Sequence, residues 1–281
     1  MLTDYRHLLD TDVHCLTPED FQLEEAGSLP SAEHTYFFIQ LCELCFIISD
    51  WLDVFKPGGP RRRRLPEAEV RKERIDKTKK CISDLLSWLH SLPTTLQAPA
   101  TYTGFTLWTA TLHITYNAAL LRFSALLPDG TNAVHETASK VTDICQDLDR
   151  QGLLHSLWSF GIHEFDLAMG QHARQVNSKN PTVAACGFQN LYRGLPLIQQ
   201  LCERSFVASQ GAVFYQQLIE RFEKYREADD GRYRKKTPSD TGQLLGEPPL
   251  HLAVTPPWVS EAIEGWEYGF EFQEQECANW I

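Results

Sequence analysis

Cysteine, histidine and carboxylate side chains are the groups in this 281-residue chain that could hold a metal or move a proton, and their spacing decides which of them do. Cys42 and Cys45 form a "CELC" pair. A redox pair needs a helix N-terminus to lower a thiol pKa, and structural zinc needs a second ligand pair at matching spacing. Both thiols fall in the middle of an apolar helical pattern with no matching pair elsewhere, so core packing is the stronger reading. His163-Glu164 opens like a metal-binding helix, but no "HExxH" occurs. His113, Tyr116 one turn later and Arg122 further along the same pattern are candidate pocket-lining residues, and a hydrogen-bonded core histidine is the bland alternative. Asp229-Asp230 is the nearest approach to the aspartate-rich motif with which all-α cyclases hold magnesium against a diphosphate. It stands in a turn-rich stretch before a basic run and reads as a solvated loop. With no phosphate-cradling glycine loop and no "GxSxG" elbow, the chain is expected not to be an enzyme and to carry no resident metal or cofactor.

Charge bounds the partners. A net charge of -11 disfavours a broad grip on nucleic-acid phosphates. The sharpest basic feature is Arg61, Arg62, Arg63 and Arg64, followed by Arg71, Lys72, Arg74, Lys77, Lys79 and Lys80. This run is a candidate nuclear-import or basic patch. Glu67, Glu69, Glu73 and Asp76 interleave with it, so a solvated, self-balanced helix face is the competing reading. The eight cysteines are scattered through apolar helical patterns, which predicts reduced, buried thiols in an intracellular protein. The N-terminus lacks a signal pattern, and no run of eighteen or so uninterrupted apolar residues predicts a membrane span.

The elements that must carry these residues are helical. "TYFFIQLCELCFIISDWLDVF" is apolar nearly all round and stops at "KPGGP". A long helix follows, charged at first, then placing Leu85, Trp88, Leu89 and Leu92 at three- and four-residue spacing before Pro93. "FTLWTATLHITYNAALLRFSALL" reads as a central core helix. Further helices are predicted over 131–151, 154–174, 181–207 and 210–227, with Gly194 and Pro196 kinking or splitting the third. Trp88, His113, Tyr116 and Trp158 are expected inside one helical body. No alternating run compels a strand, so the fold is predicted all-α: a single irregular multi-helix domain over 1–228, a flexible linker over 229–257, and an acidic-aromatic tail over 258–281. That tail sets Trp258, Ile263, Trp266, Tyr268, Phe270, Phe272 and Trp280 among six glutamates. Charge repulsion would keep its rings open to a partner, yet the same residues suit a helix or turn closing over the body.

The opening stretch "LLDTDVHCLTPEDF" gives a family likeness. Asp10, Asp12, Val13, Leu16, Thr17, Asp20 and Phe21 resemble a segment of the fungal-specific transcription factor domain, the regulatory region of the zinc binuclear cluster activators. Leu85, Trp88, Leu92 and Pro93 are similar to that family's "L, Trp, Leu-Pro" element, and Leu112, His113 and Tyr116 to its "Leu-His, x, x, Tyr" helix. The likeness covers roughly residues 8–227. The sequence departs from the family at Leu121-Arg122-Phe123, where Leu-His-Arg-Pro is usual.

The resemblance implies the middle regulatory domain of a nuclear transcription factor, incomplete here at its N-terminus. The family's zinc belongs to a DNA-binding cysteine cluster that these residues do not include, so this chain by itself is expected neither to bind zinc nor to bind DNA specifically. Transcription machinery or coactivators, a small-molecule effector and a second copy of the chain are the implied partners. Trp258, Trp266, Phe270 and Phe272 are then candidate activation residues. An all-α enzyme, or a helical scaffold module with a buried small-molecule pocket, is the alternative.

Overall fold

The computed structural model describes residues 32–52, 67–128 and 130–234, which are all-α: seven helices, with no strand among the described residues. They fall into two compact units that divide between Thr131 and Asn132. The basic run Arg61–Arg64, the opening motif and the tail with Trp258, Trp266, Phe270 and Phe272 lie outside the described residues.

The first unit holds α1 (Ala32–Leu52), α2 (Glu67–Ser91) and α3 (Leu107–Ala125), with a 3-10 turn at Thr94–Leu96. α1 buries Phe37, Leu44 and Trp51, seven residues apart and therefore on one face. α2 answers with Cys81, Leu85 and Trp88, and Leu92 just after its end joins them. The Asp50–Lys77 ion pair (2.6 Å) and the Trp51 Nε1–H to Thr78 Oγ1 hydrogen bond (3.2 Å) tie these two helices together. By length and mean hydropathy (1.3) alone, His34–Leu52 is long and apolar enough to cross a membrane, although Glu43 and Asp50 interrupt it; a third of it is buried within the protein.

α3 is the core helix that its composition predicts. Thr106 caps its start by accepting from the Thr109 amide at 3.2 Å, and nearly every face is buried, polar residues included. Those polar side chains are tolerated because they return to their own helix: Thr111 Oγ1 donates to Leu107 O (2.8 Å) and Asn117 Nδ2 to His113 O (2.6 Å).

The second unit holds α4 (Thr131–Arg150), α5 (Ser159–Val176), α6 (Pro181–Gln200) and α7 (Phe206–Arg234), with a 3-10 turn at Leu154–Ser156. Gly152 ends α4 in the left-handed region (φ 70°), and Leu153 N–H reaches back to Leu148 O at 2.8 Å. Asn180 caps α6, accepting from the Thr182 amide at 3.0 Å, with Pro181 in the first turn.

Four boundaries differ from expectation. The predicted helix over 154–174 begins only at Ser159, because a 3-10 turn occupies Leu154–Ser156. Neither Gly194 nor Pro196 interrupts α6, which ends at Gln200 rather than 207. Its glycine faces a neighbouring helix, and a proline so near the C-terminus removes little of the hydrogen-bond ladder. The "ASQGA" stretch, read as a break, lies inside α7, and that helix continues through Asp229 and Asp230 to Arg234 rather than stopping at 227. Gly211 is kept there by a close approach rather than a turn.

Candidate functional site

His113 and Tyr116 share the core of the first unit. His113 is 2% exposed, its Nε2–H donates to Leu96 O at 3.0 Å, and its ring meets Phe105 edge-on at 6.0 Å. Burial pushes its pKa below the ordinary range, only partly offset by that hydrogen bond, so the ring is neutral at physiological pH. It fastens the 3-10 turn to α3. Tyr116 stacks on Trp88 with ring centroids 5.9 Å apart, and burial pushes its phenol up to about 12. Arg122 is half-buried in the last turn of α3. Trp158 does not join them: it is the N-cap of α5, in the second unit, and remains 39% exposed. Its place just before the first helical turn, rather than on an apolar helix face, accounts for the exposure.

The cysteines also depart from expectation. Cys81 and Cys145 are buried, but Cys45 and Cys186 are exposed and Cys42 and Cys202 half-buried; all six are free thiols. Cys45 follows the inward-facing Leu44 and so points off the packed stripe of α1. Among the described residues no group of three or more His, Cys, Asp or Glu is placed to hold a metal ion. The charged half of α2 forms only a shallow open depression lined by Glu69, Lys72, Glu73, Asp76, Lys77 and Lys80, where acids and bases alternate.

The polar cluster that sequence reasoning missed is in the second unit. Asp166 on α5 is 2% exposed and receives the Tyr215 hydroxyl of α7 at 3.0 Å, on both its Oδ1 and its own backbone oxygen. Burial pushes Asp166 up to about 7, against the lowering effect of that hydrogen bond. A Cβ at Gly211 would overlap Asp166 Oδ1, so the glycine is what lets α7 approach the carboxyl. One turn and a half along α5, His172 is fully buried between Thr142 Oγ1 (2.9 Å from Nε2) and Gln175 Oε1 (3.1 Å from Nδ1). Since an amide oxygen only accepts, Nδ1 carries the proton. Burial pushes His172 down to about 4, so it too is neutral at physiological pH.

Arg193 ties α6 to α4 through Asp143 (2.6 Å) and Gln146, and also donates to Asn190 (3.0 Å). These groups join helices far apart in sequence, and the one legible signal was the glycines. Gly187 and Gly194 lie seven apart on α6, where a Cβ would meet Gln175 Cβ at 2.5 Å and Met169 Sδ respectively. The arrangement has the chemistry of a packed polar joint between helices.

No protein-family model matches the chain, and no solved structure does. Curated relatives do. The chain is 28% identical over 190 residues to an acetamidase regulatory protein of Aspergillus oryzae, 27% to that of Aspergillus fumigatus and 26% to that of Emericella nidulans. Each alignment takes in 63% of this chain and 22% of the relative. The chain therefore spans about a fifth of the length of the curated relatives it matches, and those relatives bear the names of regulators rather than of enzymes.

Proposed function

We propose that this chain is a regulatory segment of a fungal transcription regulator, acting in the nucleus and modulating transcription through protein partners rather than by specific DNA contact of its own. The observation that carries the reading is the alignment of 190 residues with three proteins all named acetamidase regulatory protein. The opening motif and the "Leu-His, x, x, Tyr" helix, similar to the middle domain of zinc binuclear cluster activators, support it from the sequence. The two helical units are the regulatory body, the residues after Arg234 lead to the tail, and Trp258, Trp266, Phe270 and Phe272 are the segment that a coactivator takes. Arg61–Arg64 serve import into the nucleus.

The test is a tethering assay in a filamentous fungus. The full chain is fused to a heterologous DNA-binding domain upstream of a reporter, with a second version carrying Trp266→Ala and Phe270→Ala. Reporter transcription is expected to change several-fold with the first fusion and to return towards baseline with the second. A full-length fusion that leaves transcription unchanged overturns the regulatory reading; a double variant as active as its parent overturns only the role of the tail.

A further inference from the structure

The outward side of α1 repeats its packed side one residue later. Phe37, Leu44 and Trp51 face the core, and Phe38, Cys45 and Leu52, each the next residue along, form a second row about 100° round the helix. Phe38 is 47% exposed and Leu52 44%, and Cys45 is exposed as well. Cys42, half-buried, and Ser49, exposed, fall between them, so Phe38, Cys42, Cys45, Ser49 and Leu52 follow one another at intervals of four, three, four and three. That is the heptad interval at which two helices lie side by side along a shared seam. Phe46, 49% exposed, flanks the row.

Size and charge select the partner. Turned end for end about a point midway between Cys42 and Cys45, the row matches itself: Phe38 of one copy meets Ser49 of the other, a large side chain against a small one, and Cys42 meets Cys45. Such mutual pairing is what a two-fold interface requires. No charged side chain stands in the row; Glu43 and Asp50 lie roughly 120° or more from its centre, and Asp50 is paired with Lys77. A chain of net charge -11 can therefore meet its copy here without these acids facing each other.

We propose that α1 is a docking surface for a second copy of this chain, the two α1 helices packed antiparallel along this row with Cys42 of each beside Cys45 of the other. The half-exposed rings of Phe38 and Phe46 offer roughly 100 Å² each, so the two helices bury less than the ~1,200 Å² at which standard interfaces begin. The dimer is accordingly weak and reversible, and small side chains at its middle let the helix axes come close. The inference goes beyond the transcriptional reading and does not depend on it.

Oxidative cross-linking of the full chain tests it, with copper(II)-phenanthroline taking up the two electrons as two thiols lose their protons and join as a disulfide. A covalent dimer is expected whose linked peptides, read by mass spectrometry, join Cys42 to Cys45. Cys42→Ser alone and Cys45→Ser alone should each lose this link, and mixing the two variants should restore it, because one copy then supplies Cys42 and the other Cys45. Sedimentation of the reduced chain should show a mass that rises with concentration. Ser49→Glu, which sets a charge opposite Phe38 of the other copy, should weaken that association about tenfold or more while leaving the unfolding midpoint in place. A reduced chain that stays monomeric up to about 500 μM, where a weak interface is populated, overturns the proposal. So do mixed single variants that fail to restore the link, links of Cys42 to Cys42 or Cys45 to Cys45 in its place, or association unchanged in Ser49→Glu.

Discussion

The two units bury their helices by different means. The first fills its centre with large rings and aliphatic side chains: Phe37, Trp51, Trp88, Tyr116 and Phe123 among leucines, with Trp51 4.5 Å from Phe123 and Trp88 5.9 Å from Tyr116 between centroids. The second brings helix backbones close together at Gly187, Gly194 and Gly211 and threads polar groups between them, Asp166 with Tyr215 and His172 with Thr142 and Gln175. Volume holds the first, and close approach with hydrogen-bond geometry holds the second. The first should therefore respond most to lost side-chain volume, and the second to added atoms and to pH.

Trp88→Ala should give the largest effect, a loss of about 3–5 kcal/mol, because the site is closed by Tyr116 and the flanking leucines and cannot collapse fully. Denaturant unfolding measures it, and a loss under about 1 kcal/mol would mean that rings do not carry this unit. The next effect separates the units by pH. Asp166, raised by burial to about 7, holds its proton more tightly in the folded chain than in the unfolded one, so its contribution to stability falls as pH rises from about 4 through 7. His172, lowered by burial to about 4, works the other way: the unfolded chain takes up the proton first, so stability falls as pH drops from about 6.5 towards 4. Over that shared window the two slopes oppose each other, each worth roughly 3–4 kcal/mol in total.

Single variants should unmask them. Relative to the parent, Asp166→Asn should leave a chain that weakens on acidification from about pH 6.5, and His172→Gln one that weakens as pH rises towards 7. Urea midpoints at several pH values decide this, and parallel curves for all three proteins would show that neither group is buried as described.

Gly187→Ala should destabilise by about 2 kcal/mol, since the new methyl meets Gln175 Cβ at 2.5 Å and the His172 carbonyl oxygen at 2.9 Å, and backbone cannot step aside. Gly194→Ala meets the end of the flexible Met169 side chain instead and should cost less than half as much. Equal effects at the two positions would break the claim that backbone approach distinguishes this unit. Arg193→Ala should have the smallest effect, under about 1 kcal/mol, because Arg193 and Asp143 both remain partly exposed and solvent screens their attraction.

The all-α class and the central place of α3 were legible because apolar residues recur at helical spacing and α3 is apolar on most faces. The burial of both His113 and Tyr116 was legible for the same reason, being local to one helix. Helix ends in the second unit were harder. Gly194, Pro196 and Gly211 look like breaks on a linear chain, but two of them are close-approach positions, and whether a glycine turns the backbone or admits a neighbour depends on what lies opposite. Trp158 was misplaced by treating it as part of a helix that begins one residue later.

What the sequence by itself determined is the set of helices and the stripes along them, since the period of 3.6 residues is a local property of the chain. Only the tertiary structure decided which polar groups meet. Asp166 and Tyr215 are 49 residues apart in sequence, Thr142 and His172 are 30 apart, and Arg193 reaches Asp143 across 50. No spacing rule connects such pairs. Their proximity follows from the way whole helices cross, and the shifted pKa values follow in turn from the burial that the crossing imposes.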